Sequence, residues 1–416
     1  MTALRILSCG AILALALVAN PSAASAPRNP ALGPGPVPLL TSESAVRWWF
    51  VFKLNGSVFP GCGTAVASAC PFGGTTQHYA GPAGLQYVYA SSKDVTLRQA
   101  AGCAGATTSD PIGATYAEIY RGPYYYVVWN DQFDGDPAIE GCGDSCGAPW
   151  GHSKGIVAWD ADGNGIVMQV TTPSWPASGS AAHPRTTGNT LGCVLDNDVE
   201  FSQQFFALKL TRSDLVKVLD AMQNASVATD ASNPQLVRNG GPADVSQIVD
   251  SLGQRSSSAT ATNERLSSGV RVISKPAHLQ VPPWQLVSAL LGRVPLRVAT
   301  WWGNPNEIPT TTASTPVTCW KDGLAAPGAV VNATSGTWAH KTFRLTEGPG
   351  SPAGNANHAK IGVSTDTSSN EVIFGDMNQQ GALTGGCDRS QNERGGLFYV
   401  VKNATLNKGM RALIGD

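Results

Sequence analysis

One pattern occurs twice in this chain. It reads Gly151-His152-Ser153-Lys154, then Gly155-Ile156-Val157-Ala158-Trp159 and Asp160. It returns as His358-Ala359-Lys360, Ile361-Gly362-Val363-Ser364-Thr365 and Asp366. Each copy is H-x-K, five residues, D. In an extended strand successive side chains alternate faces, so a His and a Lys two apart project from the same face. A nucleophile or acid then stands beside a fixed cation, once in each half of the chain. If the two halves meet, two histidines and two lysines converge on one anion, which is the equipment for phosphoryl transfer. The plainer alternative is two partly buried structural histidines, and the shared apolar run and Asp argue against it.

The rest of the chain is arranged around these copies. Trp48-Trp49-Phe50-Val51-Phe52-Lys53-Leu54, Gln86 to Tyr89 and Tyr124 to Trp129 read as strands, rich in aromatic and β-branched residues. The first H-x-K strand and Gly165 to Val170 follow. Ser213 is placed to cap a helix with Leu215, Val218, Leu219 and Met222 on one face. Residues 226–268 are polar, with Ser256-Ser257-Ser258 and Thr260-Ala261-Thr262, and read as a linker or long loop. The pattern then restarts: a strand at Val270 to Ile273, a helix after Pro282-Pro283 stopped by Gly292, a strand at Leu296 to Trp302, the second H-x-K, and a strand from Glu371. The expected architecture is α/β, with an N-terminal half over 43–225 and a C-terminal half over 269–416, a degenerate internal duplication.

The chain has 416 residues and a net charge of −1, so no global basic field exists, and a polyanion must be held by a local cationic patch. Arg5, the apolar stretch Ile6 to Val18 and the small residues Ser22-Ala23-Ala24 read as a signal peptide over residues 1–24. Residues 25–42, rich in Pro, Ala and Gly, read as a flexible lead-in. The mature protein is expected to be soluble and secreted or periplasmic. Of nine cysteines, Cys9 leaves with the signal. Cys62, Cys70, Cys103, Cys142, Cys146, Cys193, Cys319 and Cys387 remain, an even set that suits disulfides in an oxidising compartment. Cys142-x-x-x-Cys146 is better read as disulfide cysteines than as half of a zinc site. Asp160-Ala161-Asp162-Gly163-Asn164-Gly165 matches the start of a calcium loop but has Thr171 where the twelfth-position Glu belongs, so a hairpin turn is the better reading.

The chemistry such a site performs can be written from its parts. A neutral His attacks phosphorus and forms a phosphohistidine, and a second, protonated His gives its proton to the leaving oxygen and then takes one from water. Lys154 and Lys360 neutralise the non-bridging oxygens. Asn378 adds a neutral donor, and Thr171 and Thr172 are candidates for the equivalent place in the first half. Four cationic groups in one pocket depress one another's pKa, which predicts an acidic optimum. No metal or other cofactor is called for.

Several segments together resemble the deoxyribonuclease II family, a branch of the phospholipase D superfamily. They are Trp48 to Leu54, Val128-Trp129-Asn130-Asp131-Gln132, Gly151-His152-Ser153-Lys154-Gly155, Thr172-Pro173 with Trp175-Pro176, His358-Ala359-Lys360, Phe374-Gly375-Asp376-Met377-Asn378, and Arg394-Gly395-Gly396. The resemblance implies a phospholipase D-like pseudo-dimer in a single chain, with two β-sheet halves flanked by helices and an active site between them. It implies metal-independent endonucleolytic cleavage of DNA to 3′-phosphate ends, with His152 and His358 catalytic, Lys154 and Lys360 as phosphate ligands, and the DNA phosphate backbone as partner rather than a membrane. Two features depart from it. Met168-Gln169-Val170-Thr171 lacks the extra histidine of the animal members, and the Asp of each motif lies one residue later than in strict phospholipase D spacing. A phosphodiesterase acting on phospholipid and a secreted DNA-binding protein with weak catalysis are the competing functions.

Overall fold

The computed structural model describes residues 32–60, 86–105, 107–133, 138–143, 145–172, 201–302, 306–346 and 357–415. The expected signal peptide and Cys62, Cys70 and Cys193 fall outside these residues. The architecture is α/β. The first sheet holds β1 (Trp48–Lys53), β2 (Tyr87–Ser91), β3 (Arg98–Gln99), β4 (Tyr125–Asn130), β5 (Lys154–Trp159), β6 (Gly165–Val170), β7 (Gln203–Leu210) and β8 (Val237–Arg238), in the order β3-β2-β1-β7-β6-β5-β4-β8. The second holds β9 (Thr262–Arg265), β10 (Arg271–Lys275), β11 (Leu296–Ala299), β12 (Val330–Asn332), β15 (Ile361–Ser364), β16 (Glu371–Gly375) and β17 (Gly396–Lys402), in the order β12-β11-β15-β16-β17-β10-β9. A separate hairpin joins β13 (Ser335–Trp338) to β14 (Lys341–Arg344).

The two sheets meet through aromatic side chains. Phe374 of β16 stacks on Phe50 of β1 at 4.5 Å between ring centroids and on Phe206 of β7 at 4.6 Å, and Phe206 lies 5.6 Å from Tyr399 of β17. One continuous apolar core therefore runs through both halves. Strands buried on both faces carry unbroken apolar runs rather than alternation, as in Trp48-Trp49-Phe50-Val51-Phe52. Helix α1 (Pro111–Arg121) covers the first sheet, and its Thr115 hydroxyl accepts from the Trp49 indole at 3.0 Å. Asp110 caps α1 by accepting from the N–H groups of Ile112 and Gly113. Helix α2 (Arg212–Asn224) lies against strands of both sheets.

A second core fills the far side of the second sheet. There Trp284 of α4 (Pro283–Leu290) packs against Phe398; a β-carbon at Gly362 would strike the Trp284 indole, and one at Gly375 would strike the Phe398 ring. Helix α5 (Ala404–Leu413) follows β17 and is capped by Asn403.

Several local expectations needed tertiary correction. Helix α2 is capped by Thr211, not Ser213, because Thr211 forms a reciprocal capping box with Asp214. Residues 226–268, read as a linker, carry β8, α3 (Ala243–Val249) and β9. Strand β8 belongs to the first sheet and β9 to the second, so the connection is folded onto both. Part of the expected flexible lead-in is held: the Leu39 N–H donates to Thr115 at 3.0 Å, and Lys209 donates to the carbonyls of Pro34 and Pro36. Cys142 is bonded to Cys146 and Cys319 to Cys387, and Cys103 is also disulfide-bonded.

Candidate active site

Neither histidine lies inside its strand. β5 begins at Lys154 and β15 at Ile361, so His152 and His358 occupy the extended segments just before them. The reason is where their backbone N–H groups go. The N–H of His152 donates to the carbonyl of Gly395, in the second half, at 2.9 Å. The N–H of His358 donates to the carbonyl of Ser202, in the first half, at 2.8 Å. Each histidine thus leaves its own ladder to dock on the other half. Gly395 must be glycine for this approach, since a β-carbon there would sit 2.0 Å from the Ala225 carbonyl oxygen.

The seam is knitted by two glutamines. The Gln204 side chain donates to the carbonyl of Gly375 at 2.9 Å and accepts from the Lys360 N–H at 3.0 Å. Gln169 donates to the Leu397 carbonyl at 3.1 Å.

The His152 ring is half-buried, and its Nδ1 lies 2.5 Å from the Asp376 backbone carbonyl. A carbonyl can only accept, so Nδ1 carries the proton and Nε2 keeps its lone pair. Burial pushes the pKa of this ring well below the usual histidine range. The charges of Lys154, Arg394 and Lys360 push the same way, and Asp131 opposes them. The shift favours the neutral ring, in which Nε2 is unprotonated. The charges of Lys154 and Lys360, one from each motif, both act on this one ring. His358 is half-buried beside Phe201, 4.8 Å between rings. The Lys360 ammonium donates to the His358 carbonyl at 2.5 Å.

Lys154 is not a lone cation. Its ammonium lies 2.6 Å from Asp131, with both side chains almost fully buried. The second carboxylate oxygen of Asp131 accepts from Arg394 at 2.8 Å. Arg394, from the second half, also donates to the carbonyls of Cys146, Trp150 and Gly151. This guanidinium clasps the loop that leads into His152. Burial alone would raise the Asp131 pKa, but Lys154, His152 and Arg394 outweigh it and hold the carboxyl well below the usual carboxylate range. Asp376 differs: burial pushes its carboxyl up to about 7, against the N–H of Leu397 that donates to it at 2.9 Å.

Asn378 is buried in the turn after β16. Its amide nitrogen donates to Gln380 at 3.2 Å, and its Oδ1 has no hydrogen-bond partner among the described residues. The Thr171 hydroxyl is engaged within the fold, donating to Gln203 at 2.8 Å and accepting from the Gln204 N–H at 2.9 Å. The buried Thr172 hydroxyl has no such partner among the described residues.

The Asp that ends each motif stands at the far end of its strand, up to roughly 26 Å from the histidine at 3.3 Å per residue. Asp160 accepts from the N–H groups of Asp162 and Asn164 in the β5–β6 turn, and Asp366 accepts from Ser368 and Ser369 in the β15–β16 turn. They shape hairpins, which also disposes of the calcium-loop alternative. Among the described residues no three His, Cys, Asp or Glu side chains cluster as a metal site requires, and no helix is long and apolar enough to cross a membrane. His278 and His340 are exposed.

Sequence reasoning gave no role to Asp131, Asp376 or Arg394. All three lie in the segments that carried the family resemblance, beside a residue already singled out or at a glycine pair. That was the available signal.

Residues 39–416 match the family model described as deoxyribonuclease II. The chain is also 22% identical, over 342 residues, to cell-death-related nuclease 7 of Caenorhabditis elegans, an alignment covering 79% of this chain and 78% of the nematode protein.

Proposed function

This chain belongs to the deoxyribonuclease II family and is a deoxyribonuclease, and on that premise we propose that it is a secreted, metal-independent acid endonuclease that leaves 3′-phosphate ends. The observation that carries the reading is the ring of His152, with Nδ1–H spent on the Asp376 carbonyl in the second half and Nε2 left with a lone pair; the charges of a lysine from each motif also act on this ring. The strand orders support a pseudo-dimer: β1-β7-β6-β5-β4 in the first sheet matches β10-β17-β16-β15-β11 in the second. Helices α1 and α4 precede the corresponding strands β4 and β11, and α2 and α5 follow β7 and β17. One H-x-K comes from each unit.

In the proposed reaction Nε2 of His152 attacks phosphorus. An N–P bond forms and the P–O5′ bond breaks, while protonated His358 gives its proton to the departing 5′ oxygen. Water then attacks the phosphohistidine, His358 takes its proton, the N–P bond breaks, and the 3′-phosphate leaves. Lys154 and Lys360 are the cations proposed to neutralise the non-bridging oxygens. Asn378 and Thr172 are the neutral groups proposed to complete the cradle, with Thr171 holding the strand end in place. The first step needs a protonated His358, so the proposed optimum is acidic.

The test is plasmid DNA in chelator between about pH 4 and 8, the span of histidine titration, with wild type, His152→Ala and His358→Ala. Nicking strongest at the acid end and lost in both variants is expected. A strict requirement for magnesium would sink the mechanism. Intact DNA with cleaved phosphatidylcholine would favour the phospholipid reading, and retarded but uncut DNA the binding-protein reading.

A further inference from the structure

Besides Lys154 and Lys360, two more lysines are buried, Lys53 and Lys275, each with 0% of its surface exposed. They occupy corresponding places. Lys53 is the last residue of β1 and pairs across the ladder with Gln203 at the start of β7. Lys275 is the last residue of β10 and pairs with Gly396 at the start of β17.

Each ammonium is aimed at the backbone just before its partner strand. Lys53 donates to the carbonyl of Phe201. Lys275 donates to the carbonyls of Asn392 at 2.7 Å and Arg394 at 2.8 Å. Burying an ammonium is costly unless its donors are used. For Lys275 burial alone pushes the pKa down to about 7, with no neighbouring carboxylate to offset it.

The carbonyls so held lie one residue from the histidine docking points. Phe201 precedes Ser202, whose carbonyl accepts from the N–H groups of both His358 and Ala359. The Phe201 ring also lies against the His358 ring. Arg394 precedes Gly395, whose carbonyl accepts from the His152 N–H. The connection is crossed: Lys53 of the first half supports the seat of the second histidine, and Lys275 of the second half supports the seat of the first.

We propose that Lys53 and Lys275 are a matched pair of positioning residues, each pinning the turn on which the opposite half's histidine is docked. What the histidines do rests on the function proposed above; that they are docked this way does not. A buried cation suits the task because its charge strengthens the hydrogen bonds to the carbonyls it holds.

The experiment compares Lys275→Met and Lys53→Met with wild type by two readouts. The first is the NMR spectrum of the histidine ring nitrogens. Lys275→Met should shift the signals of His152 and leave those of His358, and Lys53→Met should do the reverse. The second is steady-state cleavage. Each variant should lose about 10²-fold in kcat, the scale of an ångström's misplacement at a reacting group, with KM changed less than about twofold. Should a methionine variant not fold, Lys→Gln at the same position, which keeps a shorter donor, is read in the same way. Loss confined to KM, or NMR changes that are equal at both histidines or absent from both, overturns the proposal. If wild type leaves DNA intact but the crossed NMR pattern holds, the docking stands and the nuclease mechanism falls.

Discussion

Replacing Asp131 by Asn removes the one carboxylate shared by Lys154 and Arg394. Lys154 then keeps a full charge inside the protein, since its side chain is 3% exposed and its partner was 2.6 Å away. Removing one member of a buried pair costs about 3–5 kcal/mol, because the remaining charge is uncompensated. Asn still offers an acceptor oxygen and Arg394 retains three carbonyls, so the low end, about 3 kcal/mol, is expected. The pH dependence has a definite sign. The folded-state pKa of Asp131 is depressed, so its stabilisation is complete above the unfolded carboxylate value of about 4 and fades only as pH falls below that. The difference between wild type and Asp131→Asn is therefore equal at pH 5 and pH 7 and shrinks under stronger acid. Urea denaturation at the three pH values measures it. Adding Lys154→Met to Asp131→Asn should recover part of the loss, because the stranded ammonium goes with it. A single-variant cost below about 1 kcal/mol, or a double variant that simply adds two losses, would refute the view that this pair is a buried, coupled unit.

Other consequences are open to the same kind of test. Asp376→Asn imitates the neutral carboxyl that burial favours; because the folded pKa is raised to about 7, wild-type stability should fall as pH rises from about 4 through 7. The variant should match wild type in urea melts below about pH 4 and exceed it by a margin that grows up to about pH 7 and then levels off. Gly395→Ala forces a β-carbon onto the Ala225 carbonyl; a cost of about 1–3 kcal/mol and a loss of cleavage with the displaced His152 seat are expected from melting and plasmid nicking. If the substrate is held through its phosphates, as proposed, cleavage in the plasmid assay should weaken steeply as salt rises from about 50 to 200 mM.

The candidate site residues were easier to single out than the fold around them. The H-x-K pairs stood out because the proposed catalysis would need those side chains at that separation, a pattern that repeats along the chain. Strongly apolar strands such as β1 and β4 were legible for a similar reason, as burial on both faces demands uninterrupted aromatic and branched residues. The central strands β7 and β17 and the helices α1 and α5 were missed. Gln203 and Gln204 open β7 with polar side chains that look like loop, yet Gln204 bonds to two backbone groups of the second sheet. The polarity of 226–268 concealed β8, α3 and β9 because short elements docked on a finished core need few apolar residues of their own.

What the sequence determined by itself was the inventory: two histidines and two lysines in matched settings, strands enough for two sheets, and a family. Tertiary structure decided how that inventory is used. It took the histidines out of their strands and seated each on the opposite half. It paired Lys154 with Asp131 and Arg394, and it turned the motif's aspartates to hairpin duty at the far end of the sheet. Each of these outcomes depends on where a backbone carbonyl or a carboxylate from a distant segment arrives. Hydrogen bonds and ion pairs act over a few ångströms in space, whatever the separation along the chain.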